Sequence, residues 1–442
     1  MDFILAGVVC IVILLILMSI GMQIGLAFLL GGFIVCVYLL GLDSSITLLG
    51  QASYYSIATP TWTAIPLFIL MGAFASNGGL ARRAYDGVHA LARKLPGSLM
   101  IATCFSCAIF GAVSGSSIAT TAIFGKMALP EMNRLRYDKA LSVGVIASAG
   151  TFASMIPPSM MLIIYALFTQ QSIGKLFAAG VIPGILTAIT YAILIVFLVK
   201  RNPNLAPLKK IEPAESNPMS RAQEVFQMWP VASIAFVVLG GLYSGVFTPT
   251  ESAAAGAIVS LGFAWYLKAF TKFGDVTNSM REAANVTAML FLINVGALFY
   301  SRVLAVSGLP SEITMMLLSA DISPFMILLG VMAIMFFLGM IMVPVGIYAL
   351  TLPIVFPILV KLGYDPIWFG IITMKLTEIG AITPPVGLNV FAIKGAIPKN
   401  MKVSIEQIYK GCIPFIMCDL VVLALLVAFP MIALWLPGVL MD

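Results

Sequence analysis

Four short runs of glycine, proline, serine and threonine hold the residues of this chain best suited to chemistry. They are Ser114-Gly115-Ser116-Ser117, residues 153–159 around Pro157-Pro158, residues 339–344 ending at Pro344, and residues 380–389 around Pro384-Pro385. Each interrupts an otherwise apolar stretch. Proline removes a backbone donor and frees a carbonyl one turn earlier. Freed carbonyls and Ser or Thr hydroxyls are hard oxygen ligands that suit hard cations. The N-terminus of the half-helix that follows such a break attracts anions. The chemistry these residues offer is reversible binding of a cation beside an anion.

The elements that must position these runs are membrane helices. Of 442 residues, 61% are hydrophobic and only 10% are charged. A soluble domain carries about 25% charged residues. Lipid is therefore the solvent for most of the chain, and an all-α polytopic membrane protein is expected. Apolar segments able to span are Phe3–Ile20, Gly21–Leu40, Thr61–Phe74, Phe177–Val199, Trp229–Tyr243, Ser252–Leu267, Ala284–Leu304 and Pro414–Leu436. The first has no basic leader and no small-x-small cleavage site, so a retained helix is expected rather than a signal peptide. The formal net charge of +6 sits in short clusters between apolar runs. It reads as orientation signals, not as a nucleic-acid surface.

Two halves of the chain look alike. Pro157-Pro158 matches Pro384-Pro385, Pro130 matches Pro357, Gly79-Leu80 matches Gly308-Leu309, and Gly180-Val181-Ile182-Pro183 matches Gly411-Cys412-Ile413-Pro414. The spacing of these pairs drifts by only a few positions, which indicates a duplication. Charge orients the copies. The first carries Arg82, Arg83, Arg93 and Lys94, then Lys126, Arg134, Arg136 and Lys139. The corresponding loops of the second carry Glu312 and Asp321, then Lys361 and Asp365. Equivalent loops thus lie on opposite sides, and the repeat is inverted.

Both loops around 97–125 are basic, so that segment enters and leaves on one side as a re-entrant hairpin. By symmetry, 324–357 is a second hairpin. Broken helices are expected at about 140–168 and 367–394. Lys200, Arg201, Lys209, Lys210 and Arg221 place the central proline-rich loop, with Pro203, Pro207, Pro213 and Pro218, inside. Asp2 and Asp442 then fall outside. The expected organisation is N-terminal scaffold helices at 1–58, a first repeat at 59–200, a central loop and scaffold helices at 201–283, and a second repeat at 284–436. Interrupted helices paired through an inverted repeat point to an ion and substrate site near the midplane. Two related cation sites with an anion between them are the expected product.

Other residues have plainer expectations. Cys104 and Cys107 lack a second pair at zinc spacing and read as packing residues, so no structural metal is expected. With one histidine, no H-E-x-x-H and no nucleotide loop, no catalytic constellation is visible. A passive channel would conduct without saturation. Glu251 reads as a helix-capping partner of Thr248 or Thr250. Lys375 and Glu378 share a helix face; as intramembrane ionisable residues they are functional candidates, with mutual neutralisation the other reading. Asn294 and Asn389 can pack helices or touch substrate, Asn389 being the better placed. His89 is expected at a solvated surface.

The runs Gly111–Thr120, Ile156–Ser159, Gly245–Ala254 with its Phe247-Thr248-Pro249-Thr250-Glu251, and Ile382–Asn389 together resemble the large (M) subunit of TRAP transporters, the DctM-like family. The resemblance covers essentially the whole chain. It implies an elevator-type carrier of the bacterial inner membrane, driven by sodium ions. It also implies two partners, a small four-helix membrane subunit (Q) and a periplasmic substrate-binding protein (P). Substrates implied are small organic acids such as C4-dicarboxylates and sialic acids. Carried over by motif, one Na+ site falls on Ser114, Ser116, Ala153, Ile156 and Pro158. The other falls on Gly339, Gly380, Thr383 and Val386. Ser117, Pro157, Pro384, Pro385 and Asn389 fall in the vicinity of the substrate. Val343 stands where many family members have an acid, and Ala153 where many have glycine. A related sodium/organic-anion symporter or ion exchanger acting alone is the alternative.

Overall fold

The computed structural model describes residues 3–207, 220–320 and 322–441. Asp2, Lys209, Lys210, Pro213, Pro218, Asp321 and Asp442 lie outside the described residues. Every long element among the described residues is helical, as lipid demands of a backbone that must satisfy its own hydrogen bonds. Among the described residues five helices are long and apolar enough to cross a membrane, or six if one bent pair counts as a span.

The N-terminal part holds α1 (Phe3–Ser19), α2 (Ile24–Leu40), α3 (Leu42–Ala58) and α4 (Ala64–Asn77). Helix α3 is richer in Ser and Thr than the spans read from hydropathy. It meets the short turn and helix of Pro60–Asn77 at 57°. Pro60 cannot donate to the preceding turn, so the helix bends there. The amphipathic α5 (Leu80–Ala92) follows. Its His89 is half-buried and stacked on Tyr85, with ring centroids 6.1 Å apart. That corrects the expected surface position: the apolar face of α5 turns inward and takes the imidazole with it.

The first copy then supplies a hairpin, α6 (Ser98–Ser114) and α7 (Ser117–Arg134), and a broken helix, α8 (Lys139–Ala153) and α9 (Met160–Thr169). The second arm of the hairpin runs past residue 125, with Pro130 inside it. Helix α10 (Ile173–Arg201) closes the copy. The connecting region holds α11 (Arg221–Phe226), α12 (Trp229–Ala235), a wide turn over 236–240, α13 (Gly241–Tyr243) and α14 (Pro249–Tyr266). Glu251 caps α14, accepting from the backbone N–H and hydroxyl of Thr248 at 2.8 Å each, so its partner is Thr248 rather than Thr250.

The 34-residue α15 (Phe273–Val306) leads into the second copy. Its Gly296 lies against Gly25 of α2 so closely that a methyl group there would sit 2.5 Å from the Gly25 carbonyl oxygen. Small residues let these two backbones touch. The Asn294 side chain donates to the Ser56 carbonyl at 3.1 Å, pinning α15 to α3. After α16 (Leu309–Ser319) come the second hairpin, α17 (Pro324–Gly339) and α18 (Pro344–Lys361), and the second broken helix, α19 (Pro366–Gly380) and α20 (Leu388–Ala396). The apolar run 414–436 is not one span. It divides between α21 (Ile405–Ala428) and α22 (Met431–Met441), with Pro430 at the corner.

The copies interlock. Helix α20 of the second packs on α7 and α8 of the first. Helix α21 crosses α8 where Gly144 and Gly411 meet, and a methyl group on Gly411 would lie 1.9 Å from the Ala140 carbonyl oxygen. Helices α1, α2 and α15 gather most of a second apolar core beside the main one.

Candidate functional site

In the first copy, α6 ends at Ser114 and the chain turns on Gly115, whose φ of 61° favours glycine. Ser116 caps α7, its oxygen accepting from the Ala119 N–H. The Ser114 and Thr120 hydroxyls bond across this tip at 2.8 Å. Helix α8 ends at Ala153 because residue 157, which would have donated to the Ala153 carbonyl, is a proline. Ser159 caps the next half-helix by accepting from the Leu162 N–H.

Tip and break of this copy meet backbone to backbone. A methyl group on Gly111 would lie 2.3 Å from the Ala153 carbonyl oxygen. One on Gly115 would lie 3.2 Å from that of Pro158. Ser114, Ser116, Ala153 and Pro158 are thereby gathered along one seam. The Ile156 side chain turns away to Gly184 of α10, leaving its backbone at the break. Among the described residues no backbone N–H is directed at the carbonyls of Ile156 and Pro158.

The second copy builds the same seam with different residues. Gly339 ends the first hairpin arm and Gly380 ends α19. A methyl group on Gly380 would lie 2.4 Å from the Gly339 carbonyl carbon. The Gly387 N–H donates to the Met340 carbonyl at 3.3 Å, tying break to tip. The Thr383 hydroxyl donates to the Ile379 carbonyl at 2.7 Å, so its lone pairs stay available. The Val386 carbonyl accepts from the Tyr409 hydroxyl at 2.8 Å. Both Pro157–Pro158 and Pro384–Pro385 are cis.

The residues expected near a substrate differ in exposure. Pro157 is buried, Ser117 is half-buried, and Pro384 and Pro385 are exposed. Asn389 is buried and bridges the copies, donating to the Ala147 carbonyl of α8 at 3.2 Å, with its own oxygen unpartnered. Val343 stands at the N-cap of α18 and supplies no side-chain cap.

Lys375 and Glu378 do not neutralise each other as their spacing suggested. Lys375 pairs with Asp419 of α21, Nζ to Oδ1 2.6 Å, both nearly fully buried. The Thr187 hydroxyl accepts from the same Nζ at 3.1 Å, and Tyr191 donates to Asp419 Oδ2 at 2.7 Å. Helices α10, α19 and α21 are thus joined by a closed network of buried charge. Glu378 instead accepts from the Ser154 hydroxyl at 2.6 Å, and its Oε2 has no partner. No motif surrounds Asp419. Its signal in the sequence is a lone carboxylate within an apolar run, the kind of intramembrane charge that marks function or pairing. Cys104 and Cys107 are buried free thiols in α6.

Three comparisons bear on this arrangement. Residues 11–432 match the family model described as the DctM component of the tripartite ATP-independent periplasmic transporter. The chain is 36% identical to the C4-dicarboxylate TRAP transporter large permease protein DctM of Pseudomonas aeruginosa, over 86% of each chain. It is 34% identical to the protein of the same name from Vibrio cholerae, over 90% of this chain and 91% of that one. It is 32% identical to the isethionate TRAP transporter permease protein DctMQ of Oleidesulfovibrio alaskensis, over 88% of this chain but 60% of the relative. Among solved structures, the Alcanivorax borkumensis YdaH transporter shares the fold, with a TM-score of 0.63 over 90% of this chain and 89% of that one, at 14% identity.

Proposed function

The chain belongs to the DctM component family of tripartite ATP-independent periplasmic transporters, and from that premise we propose that it carries a small organic acid inward in exchange for the energy of a sodium gradient. As a member it is a multi-pass transport permease of the inner membrane and not an enzyme. The acid, the ion and the motion are the proposal.

The observation that carries the sodium reading is the pair of seams. Each brings a hairpin tip against a helix break through glycine, and each leaves oxygens unspent by the backbone. Ser114, Ser116, Ala153, Ile156 and Pro158 would hold one ion. Gly339, Gly380, Thr383 and Val386 would hold the other. Carbonyls and neutral hydroxyls fit a monovalent hard cation better than a transition metal. Ser117, Pro157, Pro384, Pro385 and Asn389 would lie nearer the carboxylate of the substrate. Relatives named for C4-dicarboxylate and for sialic acid support a small acid.

The elevator motion proposed takes α1–α4, α14 and α15 as frame and the hairpins and broken helices as the moving body. The boundaries 1–58, 59–200, 201–283 and 284–436 serve as working domains. A small membrane subunit and a periplasmic binding protein would complete the system. The relative named DctMQ, which extends well beyond the matched region, supports the first.

Uptake of a labelled acid into proteoliposomes containing this chain, the small subunit and the binding protein tests the proposal. Uptake should rise at least about tenfold with an inward sodium gradient, a coupling of the usual 1–3 kcal/mol. Equal uptake with and without the gradient would overturn it. Uptake without the partners would favour a carrier acting alone. Thr383→Ala should weaken sodium activation while leaving the protein folded.

A further inference from the structure

Helix α19 faces both seams. Successive helical residues are rotated by about 100°, so Glu378 and Gly380 point in nearly opposite directions. Gly380 lies on Gly339, in the seam of its own copy. Glu378 reaches across to the other copy, where its Oε1 accepts from Ser154, the residue after Ala153 in the first seam. The side chain is 2% exposed and Oε2 is unpartnered. Lys375, one turn earlier on the same helix, already holds Asp419 at 2.6 Å. Lys375 and Asp419 satisfy each other, so Glu378 has no fixed counter-charge of its own. A charge buried without a partner is costly, so such a carboxyl gives up its charge to a proton unless a cation comes to lie beside it.

Among the described residues no hydrogen bond brings a carboxylate to the second seam, where Thr383 and Tyr409 supply hydroxyls instead. The first-copy counterpart of Glu378 is Thr151, which likewise stands two residues before the end of its half-helix. Its hydroxyl donates to the Ser148 carbonyl of its own helix at 2.6 Å.

We infer that the carboxylate of Glu378 serves the first cation seam alone, so that the two seams bind their ions with unequal strength, the Ser114–Pro158 seam being the tighter. The inference rests on the sodium reading above. It assigns the difference between the sites to one side chain contributed by the opposite copy.

The test is the thermal unfolding midpoint of the full chain in lipid nanodiscs, titrated with NaCl against choline chloride at constant ionic strength. The unaltered protein should show stabilisation specific to sodium. Its absence would overturn the sodium reading itself. Given that stabilisation, Glu378→Gln should raise the half-saturating sodium concentration about tenfold or more, the scale on which a neighbouring opposite charge shifts an ionic equilibrium. Glu378→Asp should restore most of it. A glutamine can still accept from Ser154, so an unchanged half-saturation would show a structural hydrogen bond and overturn the inference. A second pair of variants does not depend on the folding of Glu378→Gln. Ser116→Ala should abolish the low-sodium phase of stabilisation and Thr383→Ala the high-sodium phase. The reverse pattern, or equal effects, would also overturn it.

Discussion

The two copies form the same backbone device and satisfy its polar groups differently. In the first, side chains do the work. Ser116 and Ser159 cap both half-helices, and Pro157 and Pro158 are buried. In the second, Val343 and Gly387 give no side-chain cap, and Pro384 and Pro385 are exposed. The second copy instead carries Lys375 and Glu378, whose counterparts in the first are the neutral Ser148 and Thr151. A helix start without a cap leaves N–H groups available to something other than its own chain. The half-helices of one copy are capped by its own serines, while the other copy relies on charge and on a hydroxyl from a later helix, Tyr409. A duplication conserves where the chain breaks more strictly than how each break is satisfied.

Breaking the charge network should separate the copies most. Lys375→Met leaves Asp419 buried without a counter-charge, with only the Tyr191 hydroxyl bonded to it, and a cost of about 3–5 kcal/mol is expected. Unfolding in nanodiscs should show it, with much of the loss recovered in Lys375→Met/Asp419→Leu. Ser148→Ala at the corresponding buried position, which removes an unpartnered neutral hydroxyl, should cost less than about 1 kcal/mol. An equal loss at both positions would mean that the network does not distinguish the copies.

The seams come next. Gly380→Ala places a methyl group against the Gly339 backbone, where no side chain can yield. A loss of about 1–3 kcal/mol is expected from such overpacking. Gly111→Ala, aimed at the Ala153 carbonyl, should cost a similar amount, since the backbone approach is common to both copies. Retained stability in either would show that its seam opens at little cost.

The smallest effect belongs to the caps. Ser159→Ala removes the side-chain acceptor at the start of α9 and should cost about 1 kcal/mol. Val343→Thr, which keeps the side chain's shape at the N-cap of α18, should cost less than that, because no cap is lost. A larger loss from the second variant than from the first would reverse the contrast drawn here.

Much of the architecture was legible from residues alone, for local reasons. Proline lacks a donor wherever it stands, so Pro157-Pro158 and Pro384-Pro385 mark their breaks without knowledge of any neighbour. The basic clusters either side of 97–125 imply a hairpin because charge does not cross lipid cheaply. Pro430 was the harder case. It divides 414–436 into two helices, yet Pro183 and Pro414 sit inside α10 and α21 without dividing them. Whether such a proline kinks or ends a helix depends on what receives the freed carbonyl.

The sequence by itself determined the solvent, the helices, the duplication and the four breaks, since each follows from the chemistry of a residue and its near neighbours. Tertiary structure alone decided which buried charges meet. Lys375 and Glu378 stand three residues apart on one face, but each found a partner from a distant helix, Asp419 and Ser154. In a low-dielectric interior the strongest available partner is chosen by packing geometry, and that geometry is set by every helix at once.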